Sequence, residues 1–445
     1  MTTEKIGATK AAGRGSRRAT FNGAMRRRPL NLLWMRDTDS FARRWTGKLF
    51  VALVLLALPI AMLQHSLNSG AYADIWPALL MGVALGGVYL ASRRLILTVA
   101  VSSLAVAVSS ALLAPTLSTS GTGDPVLLDQ LQAEQLVGAL DGFESIAVAH
   151  VDLGAPQPVR LAGLGAAQTT QMEVGSLAKA MTGLVIADAV DRGEVQMDEP
   201  VSRYLPELVG SPAGAVTLHE LVTHTAGYVD FGPSTQQRAA WSAPLGLNFL
   251  TTNAEQMTEE IRGQNLVGRG SWAYSNLGAA TAGQAVAAAT GMSYSELMRT
   301  RLFEPLKMND TAIQDDEALV PGGKSQTGLS VHPWVVNAYA PAGAAVSTTE
   351  DLARLATAIL DGSAPGMAAL DPVTGTPETD MDMGFFWAIS TSRDGETITW
   401  HTGETGGYSS YFGLDRTHKK AVIVLSDVVT PATMALASNL QAANG

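Results

Sequence analysis

Ser176 and Lys179 stand three residues apart in the segment GSLAK at 175–179. A serine hydroxyl is a weak nucleophile until a nearby base removes its proton, and a lysine whose pKa is lowered by burial or by a nearby cation can be that base. On a helix, residues i and i+3 lie on nearly the same face, so the amine can reach the hydroxyl. The helix N-terminus also directs free backbone N–H groups at Ser176. The spacing indicates acyl transfer, although a helix-capping serine beside a solvated lysine has the same sequence.

A second pair of polar side chains is Tyr274 and Asn276, in the segment GSWAYSNLG at 270–278. A tyrosine hydroxyl held near a cation can accept and donate a proton, and an asparagine two residues further on can hydrogen-bond a substrate amide. A buried tyrosine beside a helix cap would give the same sequence. The pair is therefore a candidate for proton transfer and substrate binding.

A third motif, His401-Thr402-Gly403, stands at the end of a predicted strand and is followed by Glu404. The glycine allows a ligand to approach the backbone closely. The backbone N–H groups of Ser176 and Glu404 are then candidates for an oxyanion hole, in which each donor contributes about 2.7 to 4 kcal/mol in known hydrolases. Taken alone, His401 is equally an ordinary edge-strand histidine.

The order of the three motifs is similar to that of the class C β-lactamases and their penicillin-binding and esterase relatives. Four further segments resemble that family: DRGEVQMDEPVSRYLPEL at 191–208, VTLHELVTHTAGY at 216–228, LFEPLKMNDT at 302–311 and AGAAVSTTEDL at 342–352. The resemblance covers about residues 128–429. It implies a serine hydrolase that forms an acyl-enzyme on an amide or ester: a cell-wall-type peptide, a β-lactam-like compound or a small ester.

The resemblance also implies roles for the residues of the three motifs. Ser176 corresponds to the acylated nucleophile, and Lys179 and Tyr274 share proton transfer, with the choice of base between them left open. Asn276 touches the substrate amide. The strand edge of the site is lined by His401, Thr402 and Gly403. No metal and no organic cofactor is implied.

One position departs from the β-lactamase pattern, because His401 stands where these enzymes carry a lysine. A histidine has an unperturbed pKa near ~6.5 and is mostly uncharged at neutral pH. Both β-lactams and D-alanyl-D-alanine peptides bear a carboxylate that a permanent cation would hold. Relatives with histidine at this place resemble esterases and D-amino-acid peptidases. The substitution therefore argues against efficient β-lactamase action but not against acyl transfer.

Two other enzyme classes fit the sequence poorly. The pair His219 and His224 is five residues apart, whereas the zinc-binding HExxH motif needs four, and five positions turn the two rings onto different faces of a helix. The chain also has no Gly-x-Ser-x-Gly elbow, which argues against an α/β-hydrolase.

The elements that must position these residues form a mixed pattern. Residues 145–151 and 159–163 predict a β-hairpin, and residues 383–389, 396–401, 408–414 and 421–426 predict an antiparallel meander, with turns at 392–395, 403–407 and 415–416. Between them, apolar residues at helical spacing predict a helix from Ser176 to Val190 with one buried face, ending at 191–193. The predicted fold is α/β (α+β): an antiparallel sheet flanked by helices plus a helical lobe, as in serine β-lactamases and DD-peptidases.

The N-terminal quarter of the chain has a different composition. Residues 1–48 hold twelve Lys and Arg against three acidic residues, although the whole chain carries a net charge of −10. Three uncharged apolar stretches follow at 49–64, 75–91 and 95–117, each close to the ~20 residues that span a bilayer. We predict about three transmembrane helices at 49–117, a flexible linker at 118–127 and the hydrolase domain at 128–445.

The basic residues orient the predicted spans, because loops rich in Lys and Arg stay cytoplasmic. Arg43, Arg44 and Lys48 precede the first span, and Arg93 and Arg94 lie between the second and third. The expected protein is therefore a multi-pass protein of the bacterial cell membrane, with a cytoplasmic N-terminus and an extracytoplasmic catalytic domain. The bilayer and a small-molecule or peptide substrate are its expected partners.

Three further points complete these expectations. The acidic outer part gives no reason to expect nucleic acid as a partner, and the oligomeric state is left open. The absence of cysteine excludes disulfides and thiol catalysis. The alternative function is a penicillin-binding membrane sensor, or a non-catalytic binding module, that uses the same pocket.

Overall fold

The computed structural model describes residues 115–443, apart from 316, 327, 377–380 and 393–394. The predicted cytoplasmic segment 1–48 lies outside the described residues, as do the predicted spans at 49–64, 75–91 and 95–117 except for their last three residues. In the described part of the chain, no helix has both the length and the apolar character needed to cross a bilayer. The membrane region stays a prediction.

A nine-stranded antiparallel sheet is the centre of the fold, with strand order β1-β3-β2-β12-β11-β10-β9-β8-β7. Its strands are β1 Gly121–Gly123, β2 Ile146–Asp152, β3 Val159–Leu164, β7 Thr374–Thr376, β8 Met381–Met383, β9 Ala388–Thr391, β10 Thr397–Glu404, β11 Ser409–Asp415 and β12 Lys420–Ser426. A second sheet of β4 Met172–Glu173, β5 Ala312–Ile313 and β6 Ala345–Ser347 has the order β4-β6-β5. The predicted hairpin is confirmed as the β2–β3 pair.

Helices cover both faces of the large sheet and form a lobe beside it. They are α1 Pro125–Leu136, α2 Leu177–Asp191, α3 Leu218–Val222, α4 Pro233–Ser242, α5 Ala254–Arg262, α6 Asn276–Thr290, α7 Tyr294–Met298, α8 Ala340–Gly343, α9 Thr349–Asp361 and α10 Ala432–Ala443. Because side chains alternate along a strand, Ile146 and Val148 of β2 pack with the cluster under α1 and α10, whereas Ala147 and Ala149 join the larger core. The predicted sheet flanked by helices is confirmed.

Residues 118–127 do not form the predicted flexible linker. The backbone N–H of Ser118 donates to the Glu144 carbonyl (3.0 Å), and β1 pairs with β3. Asp124 then caps α1, accepting from the N–H groups of Val126 and Leu127. The Ser, Thr and Gly composition is typical of a flexible linker, but the small residues of β1 also fit the edge of a sheet.

The C-terminal meander differs from its prediction in two places. Residues 383–389 are not one strand: β8 ends at Met383, and the chain leaves the sheet before β9 begins at Ala388. Phe386 lies in this excursion with φ of 61°, and its N–H donates to the Val222 carbonyl (2.9 Å). The predicted turn at 403–407 also begins too early, because Gly403 and Glu404 still pair with β11.

Helix α2 was predicted to bury one face, and instead every residue from Leu177 to Ala189 is buried. It packs between the sheet, α6, α8 and the turn Met367–Leu370. Gly183 allows this packing, since a Cβ there would lie 2.0 Å from the Phe385 carbonyl oxygen. The helix that carries Ser176 and Lys179 is therefore enclosed by backbone on more than one side.

Replacing Gly183 by alanine tests this close approach. Alanine is the better helix former, yet we expect G183A to destabilise the domain by about 1–3 kcal/mol, because the Phe385 backbone must shift. Thermal unfolding followed by circular dichroism measures the effect. Gly263→Ala is the matched control, since the nearest atom to its Cβ lies at 3.5 Å. Equal melting temperatures for G183A and the unsubstituted protein would contradict the contact.

Candidate active site

The turn that delivers Ser176 is pressed against strand β10. Gly175 has φ of 53°, a left-handed conformation that favours glycine. A Cβ at Gly175 would also lie 2.6–2.8 Å from backbone atoms of Glu404. The sequence thus needs glycine here for two independent reasons, and the result is a serine at the N-terminus of α2 beside the end of β10.

Three of the predicted catalytic side chains meet at one oxygen atom. Lys179 Nζ donates to Ser176 Oγ (2.9 Å), and the hydroxyl of Tyr274 donates to the same Oγ (2.8 Å). Lys179 also donates to the Ala342 carbonyl (2.6 Å) and lies 5.0 Å from the centroid of the Tyr274 ring. Helix α2 and its N-cap therefore contribute Ser176 and Lys179 to this cluster, and the segment before α6 and helix α8 contribute one polar group each.

Burial sets the proton affinities of the two candidate bases in opposite directions. Lys179 is fully buried, and desolvation lowers its pKa to about 7, partly offset by the negative charge of Asp230. Burial raises the pKa of Tyr274, an effect that its hydrogen bond to Ser176 reduces. At neutral pH a large fraction of Lys179 is therefore a free amine, whereas Tyr274 keeps its proton.

His401 lies in β10 and is buried, with an exposed fraction of 9%. Burial, and then the charge of Lys179, lower the pKa of His401 to about 4. Its Nδ1 contacts the Thr402 carbonyl oxygen. The ring is therefore uncharged at neutral pH, which agrees with the expectation that this position supplies no permanent cation.

The next two residues of β10 lie on opposite faces of the strand. A Cβ at Gly403 would lie 1.9 Å from the Val174 carbonyl oxygen and 3.0 Å from the Leu177 nitrogen, so this glycine lets β10 contact the start of α2. Thr402 alternates to the other face and is half-buried. Gly403 thus shapes the site through its backbone, and Thr402 lies beside it.

The two backbone amides predicted for the oxyanion hole lie close to each other in the fold. Ser176 is the N-cap residue of α2, at the positive end of the helix dipole. The Glu404 nitrogen would lie 2.7 Å from a Cβ at Gly175, the residue before Ser176, and the side chain of Glu404 is exposed. Both amides are therefore near Ser176, on the two elements that meet there.

Asn276 is the first residue of α6 and faces the same site. Its Nδ2 and its backbone N–H donate to Asp230 Oδ1 (2.7 and 3.1 Å). Ser275 caps the helix by accepting from the Gly278 N–H (2.8 Å). Asn276 thus lines the cavity beside Ser176, with both its Nδ2 and its backbone N–H bound to Asp230.

A cavity of about 250 Å³ opens beside Ser176. Its apolar lining is Phe231, Phe249, Leu250, Trp334, Tyr339, Ala342 and Gly343, and its polar lining is Ser176, Asn276, Glu404 and Thr405. The predicted residues His401, Thr402 and Gly403 lie next to it without lining it. In the described ranges, no group of His, Asp and Glu side chains is arranged to hold a metal ion.

Two buried residues support the site and were not predicted. His224 has φ of 58°, its ring lies 4.7 Å from that of Tyr274, and its Nδ1 accepts from the Ser275 N–H (3.2 Å). Burial lowers its pKa well below the usual value, so it packs as a neutral ring. In the sequence, His224 stands out only as the second histidine of a pair, His219 and His224, whose spacing does not fit a zinc site. Nothing in that spacing signalled contact with Tyr274.

The second is Glu173 in β4, three residues before Ser176. Its carboxylate accepts from the Trp334 N–H and from Gln314 Nε2 (3.0 Å), and burial raises its pKa. Glu173 therefore connects the loop that carries Trp334 to β4, the strand that leads to Ser176. An acidic residue between Met172 and Val174 was the signal available in the sequence.

This geometry is that of a hydrolase with a serine nucleophile and neighbouring lysine and tyrosine side chains. Residues 134–444 match the Beta-lactamase family, and the chain belongs to that family, whose relatives below are serine hydrolases. Among solved structures, a class C beta lactamase from Rhodobacter sphaeroides shares the fold with a TM-score of 0.59 and 19% identity, covering 71% of this chain and 99% of that one. A D-stereospecific amidohydrolase from Streptomyces sp. has a TM-score of 0.56 and 20% identity, and the match covers 69% of this chain and 97% of that one.

Curated relatives share between a quarter and a third of aligned residues with this chain. A "Beta-lactamase" of Escherichia coli (strain K12) is 27% identical over 46% of this chain and 50% of its own length. "Penicillin-binding protein 4*" of Bacillus subtilis (strain 168) is 26% identical over 57% of this chain and 60% of its own length. A "Teichoic acid D-alanine hydrolase" of Staphylococcus aureus is 26% identical over 44% of this chain and 48% of its own length. The chain thus spans about half to three fifths of these relatives.

The effect of the Asp230 charge on the pKa of Lys179 can be tested directly. Because a nearby negative charge favours the ammonium form, Asp230→Asn should lower the pKa of Lys179 below about 7. The pKa is measured by NMR titration of protein labelled with ¹³C at the lysine side chains, with Lys179→Met identifying the signal. Asp198→Asn, at an exposed aspartate, is the control and should leave the titration unchanged. A constant or higher pKa in D230N would rule out the interaction.

Proposed function

We propose that the chain is a membrane-anchored, extracytoplasmic serine hydrolase that acts on an ester or amide through an acyl-enzyme on Ser176. The observation that carries this proposal is the convergence of Lys179 Nζ and the Tyr274 hydroxyl on Ser176 Oγ at 2.9 and 2.8 Å. A hydroxyl that contacts a buried amine and a protonated phenol has the base and the acid that acyl transfer needs.

The opposite pKa shifts divide the proton transfers between the two side chains. In acylation, neutral Lys179 takes the proton of Ser176 as Oγ attacks the substrate carbonyl, and Tyr274 gives its proton to the leaving group. In deacylation, the Tyr274 phenolate takes a proton from the attacking water, and the Lys179 ammonium returns one to Ser176. The cycle leaves both residues as they began. The backbone N–H groups of Ser176 and Glu404 stabilise the oxyanion in both steps.

The substrates of the relatives indicate the range of chemistry. The names of these relatives refer to penicillin binding, to hydrolysis of teichoic acid D-alanine and to a D-stereospecific amidohydrolase. His401, uncharged at neutral pH, offers no cation for the carboxylate of a penicillin. We therefore favour an ester or an amide of the cell-wall type over a β-lactam as the substrate.

Intact-mass spectrometry of the full-length protein in detergent tests the nucleophile. A fluorophosphonate should add one label to the protein and none to Ser176→Ala. The labelling rate should rise as pH increases through about 7, the pKa of Lys179, since only the free amine accepts the serine proton. Lys179→Met should lower the rate about 10²–10⁴-fold. A folded protein that takes no label would contradict the catalytic proposal.

The same assay with a penicillin separates catalysis from sensing. A penicilloyl adduct that persists, with no turnover of a simple ester, would favour the penicillin-binding sensor. Hydrolysis of an ester with no lasting adduct would favour the enzyme. Absence of both reactions in folded protein would favour a binding module.

The membrane anchoring is supported by the three apolar stretches and their basic flanks. Because the chain has no cysteine, single cysteines can report topology without a background. With cells intact, an impermeant maleimide should label Ser69→Cys and Ser120→Cys, which lie outside in this arrangement, and spare Ser92→Cys between the second and third spans. Permeabilised cells provide the control, since all three should then react. Labelling of position 92 in intact cells would reverse or abolish the proposed topology.

A further inference from the structure

Four aromatic side chains form a continuous wall beside the nucleophile. The rings of Tyr339 and Phe231 lie 5.8 Å apart, those of Phe231 and Phe249 5.6 Å, and those of Phe249 and Trp334 5.5 Å. All four line the same cavity as Ser176. We call these four residues the aromatic wall.

Polar contacts hold the aromatic wall in place. Trp334 is fixed through its backbone, since its N–H donates to Glu173 and its carbonyl accepts from Gln314 (2.9 Å). Asn248, next to Phe249, donates from Nδ2 to the Val335 carbonyl (2.7 Å), which joins the two loops that carry the wall.

At the other end of the wall, the Tyr339 hydroxyl accepts from the Gly232 N–H (2.9 Å) and donates to Glu260 (3.1 Å). Gly232 directly follows Phe231, so this contact also fixes the neighbouring ring. The wall is therefore a preformed surface at both ends.

The cavity has room for one aromatic ring. An apolar cavity of about 150 Å³ binds benzene, and this one is about 250 Å³. Phe231, Phe249 and Trp334 are each only partly buried, so their rings remain available to a ligand. Aromatic rings attract one another in stacked and edge-to-face arrangements beyond the effect of buried area.

The charges around the cavity exclude a carboxylate. Glu404 lines the cavity with an exposed side chain, and Asp230 is hydrogen-bonded to the lining residue Asn276. Among the described residues that line the cavity, none is Lys or Arg. Lys179 is buried and already bonded to Ser176 and Ala342. A substrate with a negative group here would meet like charge without a compensating cation.

The position of Tyr274 decides which part of the substrate enters the cavity. In the proposed cycle Tyr274 protonates the leaving group, which must therefore lie on its side of Ser176. Tyr274 does not line the cavity, whereas Asn276 and Trp334 do. A leaving group in contact with Tyr274 therefore lies outside the cavity, and the proposed cycle leaves the cavity for the acyl group of the substrate.

We infer that the aromatic wall is an acyl-side subsite that selects esters or amides whose acyl group ends in a phenyl-sized apolar ring and carries no carboxylate. This inference rests on the proposed hydrolase function. It assigns Phe249 and Trp334 as specificity-determining residues, because they complete the wall opposite Tyr339 and act on the acyl group without touching the proton-transfer groups.

Three p-nitrophenyl esters with one leaving group test the subsite in the full-length protein. They are the acetate, the 3-phenylpropanoate and the 3-(4-carboxyphenyl)propanoate. We expect kcat/KM for the phenylpropanoate to exceed that for the acetate by about tenfold or more, as a filled apolar subsite gives. The kcat/KM for the carboxylate ester should be lower than that for the phenylpropanoate by a similar factor.

Variants assign the preference to the wall. Trp334→Ala and Phe249→Ala should reduce the ratio of phenylpropanoate to acetate kcat/KM toward one, and Trp334→Phe should keep part of it. Trp241→Ala, at a tryptophan that is 59% exposed and outside the cavity, is the matched control and should keep the full ratio. Because the readout is a ratio within each variant, a general loss of activity does not imitate the result. Fluorophosphonate labelling confirms that each variant is folded.

The outcomes separate this inference from the proposed function. If Ser176 is labelled and esters are hydrolysed without aromatic preference, or if W334A and W241A show the same ratio, the subsite is wrong and the hydrolase stands. A higher kcat/KM for the carboxylate ester than for the phenylpropanoate would also contradict the proposed subsite. If neither labelling nor hydrolysis depends on Ser176, the hydrolase proposal itself fails.

Discussion

The burial of a lysine amine is the constraint on which the rest of the structure depends. An ammonium group without solvent is strongly disfavoured, so Lys179 loses its proton near neutral pH instead of at its usual high pKa. In the unfolded chain the amine would be solvated and charged, so enclosing it lowers the stability of the fold by several kcal/mol at neutral pH. The apolar packing around α2 must offset that loss, since α2 lies within the larger of the two buried apolar clusters.

Close backbone contacts provide that enclosure. Gly175 and Gly403 bring β10 against the start of α2, and Gly183 brings the excursion at Phe385 against its middle. A Cβ at any of these positions would overlap a backbone oxygen or nitrogen. Three glycines thus allow β10 and the excursion at 384–387 to lie against α2, the helix of Ser176 and Lys179, at distances that larger residues would not permit.

Much of this arrangement was accessible from the sequence, and the reasons are physical. Ser176 and Lys179 share a helix, so a three-residue spacing predicts their contact, and the alternation in the C-terminal strands predicts an antiparallel sheet. The contact of Tyr274 with Ser176 came from the resemblance, because no local rule links residues 98 positions apart. The aromatic wall, His224 and Glu173 were missed for the same reason. The excursion at 384–387 was missed because its apolar residues have the composition of a strand.

The site is built in two parts that differ in how they are held. Ser176 and Lys179 stand on a helix of small and apolar residues closed in by backbone, where few replacements fit. The ring-bearing residues Phe249 and Trp334 stand on loops that Asn248 joins to each other, and the side chains of Glu173 and Gln314 hold the backbone of Trp334. Selection can therefore exchange those rings, and with them the accepted acyl group, while the reactive centre stays the same.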